Sequence, residues 1–186
     1  MIIGLTGSYC SGKDTVAEYI VKERGFIHYS LSDVIRDEMK KAGVEPTREN
    51  LIVFGTNLRA ENGNGVLAAK VLEKTENSKN YCITSIRHPD EVKELQKKKG
   101  FVLINIDAPQ KTRFERMLQR NRSGDPQTFE KFTELEKKES QTSGSGQQLV
   151  KTARLADITF INDSNDIQTL KVSVDEMLKQ IAQNNG

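Results

Sequence analysis

A glycine-rich stretch near the N-terminus carries the clearest chemical signal in the sequence. Residues 7–15, GSYCSGKDT, fit the pattern G-x-x-x-x-G-K between a predicted strand and a predicted helix. Gly7 and Gly12 allow the backbone to turn so that successive N–H groups point at an anion, and the helix start adds its positive end. Lys13 supplies a mobile charge for the β- and γ-phosphates of a nucleotide. The alternative is a glycine-rich turn that contains a lysine by chance. Because both glycines, the lysine and both flanking elements agree, we expect a phosphate-binding loop.

The magnesium ligands depart from the usual pattern. The Ser or Thr that normally follows the lysine and ligates Mg²⁺ is replaced by Asp14, and Thr15 comes next. Asp14 is a hard oxygen donor that can hold the ion directly or through water, or Thr15 takes this role instead. An acid is also missing at the end of the strand predicted at residues 81–86, where Thr84 and Ser85 stand instead. The sequence therefore predicts a Mg²⁺ site at Asp14 or Thr15 and disfavours an ATPase that activates water through a strand-end acid.

Cys10 lies inside the loop and has two interpretations. A thiol near a helix N-terminus can have a lowered pKa and take part in redox chemistry. Alternatively, Cys10 is a small residue at a position that accepts only small residues. We favour the second interpretation.

A second group of polar residues follows the strand predicted at residues 26–29. In open α/β sheets, residues at the carboxyl end of a strand face the crevice in which ligands bind. Asp33 can accept a proton from an attacking hydroxyl or help to hold Mg²⁺, or it only satisfies free N–H groups at a helix start. Arg36 lies three residues later on the same face, where it can grip an acceptor phosphate. Further candidates for acceptor binding are Arg48, Arg59 and, directly after a strand, Arg87.

Residues 110–122, QKTRFERMLQRNR, predict a basic helix. With a step of 100° per residue, Arg113, Arg116 and Arg120 lie within about 60° of one another on one face. Such a row suits a mobile lid that closes over a triphosphate and expels water. The alternative is a solvated charged face. We expect a helical lid over approximately residues 110–148.

The elements that must position these residues alternate between short strands and helices. Strands are predicted at residues 2–5, 26–29, 81–86, 101–107 and 158–161. Helices are predicted at residues 13–24, from Ser30 or Ser32 to Gly43, and at 47–63, 66–74, 90–99, 110–122, 128–141 and 167–181, with a flexible loop at 142–148. This alternation is typical of a parallel sheet covered on both faces. The sequence therefore predicts a three-layer α/β/α sandwich.

Composition excludes several other classes of protein. The 186 residues suit a single domain, and 28 basic against 26 acidic residues give a net charge of +2, so bulk binding to nucleic acid or to an anionic membrane is disfavoured. Two cysteines are too few for a disulfide framework. The N-terminal stretch lacks a basic region, and no apolar run approaches the ~18 residues of a membrane span. We expect one soluble, cytoplasmic domain.

These motifs resemble the nucleoside-monophosphate-kinase-like branch of P-loop proteins over nearly the whole chain. GLTGSYCSGKDTVAEYI is similar to the N-terminus of dephospho-CoA kinases, and SLSDVIRDE resembles the acceptor-binding helix of adenylate kinases. TRENL and NLR add a similarity to archaeal adenylate-kinase-like proteins and to kinase-like domains fused to deoxycytidylate deaminases. The zinc signature of a deaminase is absent from the sequence, so deaminase activity does not carry over. The resemblance implies the P-loop NTPase fold.

The resemblance also assigns roles by position. It implies that ATP phosphates and Mg²⁺ are bound by Gly7, Ser11, Gly12, Lys13 and Thr15. The predicted ATP site also includes the neighbouring loop residues Ser8, Cys10 and Asp14. Arg116 and Arg120 serve the lid, and Asn162, after the last strand, contacts adenine. Asp33 matches the acidic residue at the end of the second strand in dephospho-CoA kinases.

The sequence favours a Mg·ATP-dependent small-molecule kinase that acts on a nucleoside or deoxynucleoside monophosphate, or on dephospho-CoA. Lys13 and the lid arginines would stabilise the transferred phosphoryl group, and Arg36 and Arg87 would hold the acceptor. A hydroxyl acceptor would make Asp33 the general base, whereas a phosphate acceptor needs little help from a base. The incomplete metal site leaves a nucleotide-sensing module with little catalysis as the alternative. A kinase of nucleic-acid ends is supported by the basic helix alone.

Overall fold

A computed structural model describes residues 1–122, 124–140 and 144–184. Within these residues, five parallel strands form one sheet in the order β2-β3-β1-β4-β5. The strands are β1 (Ile2–Gly7), β2 (Ile27–Ser30), β3 (Tyr81–Thr84), β4 (Phe101–Asp107) and β5 (Ile158–Ile161). From β1 the chain leads to β2 at one edge, and from β3 it crosses to β4 on the other side of β1. Ligands bind in such sheets beyond the carboxyl ends of the strands, where the direction of the connections changes.

Helices cover both faces of the sheet. They are α1 (Lys13–Arg24), α2 (Leu31–Lys41), α3 (Arg48–Asn62), α4 (Val66–Leu72), α5 (Pro89–Leu95), α6 (Gln110–Arg120), α7 (Phe129–Ser140), α8 (Leu149–Ala153) and α9 (Ile167–Asn184). One apolar core lies between the sheet and α2, α4 and α5, and the other lies between the sheet and α1 and α9. The predicted three-layer α/β/α architecture is confirmed.

The central strands supply both cores because successive side chains point to opposite faces. In β1, Ile2 belongs to the core under α2 and α4, whereas Ile3 and Leu5 belong to the core under α1 and α9. In β3, Tyr81 and Ile83 take the first side. Because these strands are buried on both faces, they appear in the sequence as runs of apolar residues rather than as an alternation of apolar and polar residues.

Helix ends follow the local sequence signals, with some differences. Thr47 caps α3, since its Oγ1 accepts a hydrogen bond from the Asn50 N–H at 3.2 Å. His88 caps α5 in a reciprocal box with Glu91. The short helix α8 was missed, because five residues are too few to show a helical periodicity in the sequence. Residues 142 and 143 of the loop predicted at residues 142–148 lie outside the described residues. Among the helices that the structure describes, none combines the length and the apolar character that crossing a membrane requires.

Candidate active site

The loop between β1 and α1 requires both of its glycines. Gly7 has φ 137° and Gly12, the N-cap of α1, has φ 90°, in the region that favours glycine. A Cβ on Gly7 would lie 1.9 Å from the carbonyl oxygen of Ile106, and one on Gly12 would lie 2.3 Å from Nδ2 of Asn162. The backbone of the loop therefore packs directly against β4 and against the segment after β5.

Asn162 ties the loop to the sheet. Its side chain is buried, and Nδ2 donates to the carbonyl of Ser11 at 2.9 Å. Its backbone N–H donates to the carbonyl of Asp107 at 2.7 Å, where β4 ends. Arg116 of α6 completes this corner by donating to the carbonyls of Asn162 and Ser164, at 3.0 and 2.8 Å, and to Oδ1 of Asn165 at 3.1 Å. The corner holds the phosphate loop in one place.

A cavity of about 650 Å³, which we call the loop cavity, opens over the start of α1. It is lined by residues 9–15, by arginines and a glutamine of the α6 region, and by Asn162 and residues 164–167. Two buried polar atoms, Oγ of Ser11 and Nε of Arg120, have no hydrogen-bond partner among the residues that the structure describes. Buried polar groups are normally satisfied, so these atoms leave hydrogen-bonding capacity for a ligand.

Lys13 lies between the loop cavity and a second cavity. Its side chain is half-buried, and Nζ donates to the carbonyl of Ser8 at 2.7 Å. Loss of solvation and, next, repulsion from Arg87 lower the pKa of Lys13 to about 8. Burial is the larger of these two causes, and an anionic ligand beside Lys13 would favour its charged form again.

The second cavity, of about 500 Å³, lies beyond the ends of β2 and β3, and we call it the crevice cavity. Leucines and isoleucines form its apolar part, and half of those that are described come from α2 and α3. Of its described lining residues, six are basic and two are acidic: Lys13, Arg36, Arg48, Arg59, Arg87 and Arg122 against Asp14 and Asp125. The excess of cations is typical of a site for an anionic molecule.

Arg59 is fixed at the crevice cavity by a buried ion pair. Its Nε and Nη2 lie 2.9 and 2.8 Å from Oε1 of Glu91, and both side chains are almost fully buried. Oε2 of Glu91 accepts the backbone N–H groups of Arg87 and His88 at 2.8 and 3.0 Å. One carboxylate therefore positions both Arg59 and the backbone of Arg87.

Asp33 and Arg36 occupy different surroundings. Arg36 lines the crevice cavity, and its Nη1 donates to Asp33 and to Ser32, both at 2.8 Å. The Asp33 side chain is 60% exposed, and it is absent from the described residues that line the two cavities. The hydroxyl of Ser85, a residue with φ 61°, lies 2.9 Å from that of Ser30 at the cavity rim. At the ends of β2 and β3, the described residues that line the crevice cavity include the hydroxyl groups of Ser32, Thr84 and Ser85 but not the carboxylate of Asp33.

The three arginines of α6 separate into two groups. Arg116 and Arg120 line the loop cavity, and their predicted action on a nucleotide stays a prediction. Arg113 is buried, donates to the carbonyl of Ala108 at 2.8 Å and pairs with Glu136 of α7. Arg113 thus joins α6 to α7 instead of extending the row, because an acid distant in the sequence lies beside it.

Sequence reasoning missed three residues of the site. Tyr9 lines both cavities, Asp125 lines the crevice cavity as a buried acid, and Glu91 holds Arg59. Tyr9 could have been identified in the sequence as a bulky aromatic residue between the two glycines of the loop. The partners of Asp125 and Glu91 are distant in the chain and left no local signal.

Comparison with known proteins agrees with this geometry. An AAA domain family profile matches residues 6–133. A UPF0200 protein of Pyrococcus abyssi is 34% identical over 188 residues, which cover 97% of each chain. Shikimate kinase from Bacteroides thetaiotaomicron superposes with a TM-score of 0.64 at 13% identity, covering 98% of both chains. A gluconokinase from Sinorhizobium meliloti superposes with a TM-score of 0.56 at 15% identity, covering 98% of this chain and 93% of its own.

The fold and the loop define a P-loop protein of the kinase-like type, a class that binds nucleotides and usually Mg²⁺. Within that class, the chain matches the AAA domain family over most of its length and belongs to the UPF0200 family. At identities of 13% and 15%, the solved kinases establish the fold alone.

Proposed function

We propose that the protein is a Mg·ATP-dependent phosphotransferase that moves the γ-phosphoryl group of ATP to a nucleotide-type acceptor. The observation that carries this proposal is the meeting of two cavities at one lysine. Lys13 and Asp14 line both the loop cavity and the crevice cavity, together with Tyr9, Arg87 and Arg122. A donor in one cavity and an acceptor in the other would place their phosphates on either side of Lys13. Residues 1–186 would act as one domain, with the segment 110–148 as its lid.

The loop cavity suits the phosphates of ATP. The N-terminus of α1 points into it, and Lys13, Arg116 and Arg120 add three positive charges. The unpartnered Oγ of Ser11 and Nε of Arg120 are hydrogen-bond donors available to phosphate oxygens. An anion bound beside Lys13 would offset the burial and the repulsion from Arg87 that lower the pKa of this lysine.

Asp14 is the better candidate for holding Mg²⁺. It lines both cavities, whereas Thr15 lines the loop cavity. A carboxylate at the junction suits an ion that typically binds one or two carboxylates together with substrate phosphates. When bound, Mg²⁺ would neutralise charge on the β- and γ-phosphates.

The two lid arginines would have different roles. Arg116 already donates to three acceptors after β5, so we propose that it presents the flat face of its guanidinium group to the nucleobase. Arg120 retains an unpartnered Nε and would stabilise the transferred phosphoryl group. Asn162 uses its amide nitrogen on the loop, and its contact with adenine stays a prediction.

A phosphate acceptor is favoured over a hydroxyl acceptor. The arginines of the crevice cavity, including Arg36, Arg59 and Arg87, suit an ionised phosphate that attacks without a general base. The side chain of Asp33 pairs with Arg36 and is mostly exposed, which makes it a poor base for a hydroxyl in the cavity. We therefore propose a nucleoside or deoxynucleoside monophosphate as the acceptor, with dephospho-CoA second.

Phosphoryl transfer is tested by ADP formation with Mg·ATP and a panel of nucleoside and deoxynucleoside monophosphates, dephospho-CoA, shikimate and gluconate. We expect turnover with a monophosphate and its loss in Lys13→Ala. Lys22→Ala is the matched control, because Lys22 lies on the same helix but pairs with Glu18 at the exposed surface. Full activity in Lys13→Ala would refute the phosphate-loop assignment. ATP binding without any product would favour the nucleotide-sensing module.

A further inference from the structure

Tyr9 joins the phosphate loop to the segment that carries the lid arginines. Its hydroxyl donates to Oδ1 of Asp125 at 2.6 Å and accepts a hydrogen bond from Nη2 of Arg120. The same Nη2 donates to Oδ2 of Asp125 at 2.8 Å, so the three side chains close a ring of hydrogen bonds. The backbone carbonyl of Tyr9 accepts a further bond from Arg113 at 3.4 Å.

The aromatic ring of Tyr9 lies close to two arginines from different elements, Arg48 and Arg120. The guanidinium carbon of Arg120 lies 4.8 Å from the ring centroid, and that of Arg48, at the start of α3, lies 5.5 Å from it. Both distances are in the range of cation–π interactions. Burial and, next, the hydrogen bond to Asp125 raise the pKa of Tyr9, so its hydroxyl remains a donor at neutral pH.

This arrangement leaves one part of Arg120 available. Nη2 is held by Tyr9 and Asp125, whereas the buried Nε has no partner, and the side chain lines the loop cavity. Asp125 is itself buried, so its carboxylate is a firm anchor rather than a mobile surface group. The orientation of the guanidinium group is therefore set by residues that do not belong to α6.

We propose that Tyr9 is a positioning residue that, together with Asp125, orients Arg120 toward the phosphates of bound ATP. The nature of the ligand rests on the proposed function. Without the hydroxyl, Arg120 keeps its ion pair with Asp125 but loses its direct hydrogen bond to the phosphate loop. The guanidinium group would then contact the phosphates less often, and both ATP affinity and the rate of transfer would fall.

The chain contains a matched control for this substitution. The hydroxyl of Tyr19 donates to Asp175 at 2.9 Å and accepts from Arg24 at 2.8 Å, and Arg24 lies 5.2 Å from the ring centroid. This second Tyr–Asp–Arg group joins α1 to α9, away from the residues that line the two cavities. Tyr19→Phe therefore removes the same kind of hydroxyl without touching the site.

The test is a double-mutant cycle on the Kd for Mg·ATP, measured by calorimetry in the wild type, Tyr9→Phe, Arg120→Gln and the double variant. Tyr9→Phe should weaken binding about five- to tenfold in the wild-type background, as loss of one net hydrogen bond predicts, and less than about twofold when Arg120 is absent. Tyr19→Phe should leave the Kd unchanged.

The outcomes separate this proposal from the proposed function. An equal effect of Tyr9→Phe in both backgrounds, or no effect in either, would overturn the positioning role. If the wild type binds ATP but phosphorylates no acceptor, the kinase proposal fails while the cycle still decides the role of Tyr9. If the wild type does not bind Mg·ATP, both proposals are wrong. Where turnover is observed, kcat should fall in Tyr9→Phe and stay unchanged in Tyr19→Phe.

Discussion

Binding of ATP should be accompanied by uptake of a proton on Lys13. Burial and repulsion from Arg87 lower the pKa of this lysine to about 8 in the free protein. A polyanion beside the ammonium group favours its charged form and returns the pKa toward the ordinary value of about 10.4. Because the bound state requires the protonated lysine, ATP affinity should fall as the pH rises through about 8.

The amount of proton uptake follows from the two pKa values. With a free pKa of about 8, roughly one-tenth of the Lys13 side chains are neutral at pH 7, about half at pH 8 and about nine-tenths at pH 9. Nearly all are charged in the complex at pH 7 and 8. Uptake should therefore rise from ~0.1 to ~0.5 proton per ATP between these two pH values, and further at pH 9.

Calorimetric titration with Mg·ATP in buffers of different ionisation enthalpy measures this uptake. Lys13→Arg is the control, because arginine stays protonated over the whole range and removes the contribution of this position. The difference between the wild type and Lys13→Arg isolates the lysine from other titrating groups, including ATP. Equal proton uptake by the two proteins at pH 8 would refute the reasoning. It would mean that Lys13 is not a partly neutral group that gains a proton when the phosphates bind beside it.

Three further experiments test the buried ion pair, the phosphate loop and the role of Asp33. Glu91→Ala leaves its buried arginine partner unpaired, so urea unfolding should show a loss of about 3–5 kcal/mol; a loss below about 1 kcal/mol would contradict the anchoring role. Gly12→Ala and Gly25→Ala both place alanine at positive φ, which costs roughly 1–2 kcal/mol in each variant. Only the new Cβ at position 12 would also clash with the segment after β5, so Gly12→Ala alone should abolish ATP binding measured by calorimetry. Equal ATP binding by the two variants would contradict this. Asp33→Asn should have a kcat with a monophosphate acceptor within about twofold of the wild-type value. A hundredfold fall in kcat would instead support Asp33 as the general base.

Local sequence signals predicted the parts of the fold that depend on neighbouring residues. Gly12 and Gly25 bracket α1, Thr47 caps α3, and the apolar runs form the buried strands. These features can be predicted from the sequence because changes of chain direction and helix ends depend on a few neighbouring residues. Strand β3 and helix α5 were predicted to end later than they do. After Leu95 the chain continues in turns whose N–H groups still donate to carbonyls of α5, so the sequence shows no sharp end there.

The site was only partly predictable because its partners are distant in sequence. Helical geometry placed Arg113, Arg116 and Arg120 on one face, but it carried no information about Glu136, which draws Arg113 away from the cavity. In the same way, nothing near Arg59 indicates that Glu91 buries and fixes it. Tertiary contacts of this kind decide which arginines meet a ligand and which hold helices together.

The chemical identity of the product tests the central claim most directly. After incubation of the wild type with Mg·ATP and the best acceptor of the panel, ³¹P NMR distinguishes a new phosphoanhydride from a phosphate ester. The account predicts one nucleoside diphosphate formed from the acceptor for each ADP, and none with Lys13→Ala. A phosphate ester as the product would contradict the phosphate-acceptor assignment, and saturable ATP binding without transfer to any acceptor would contradict the kinase itself.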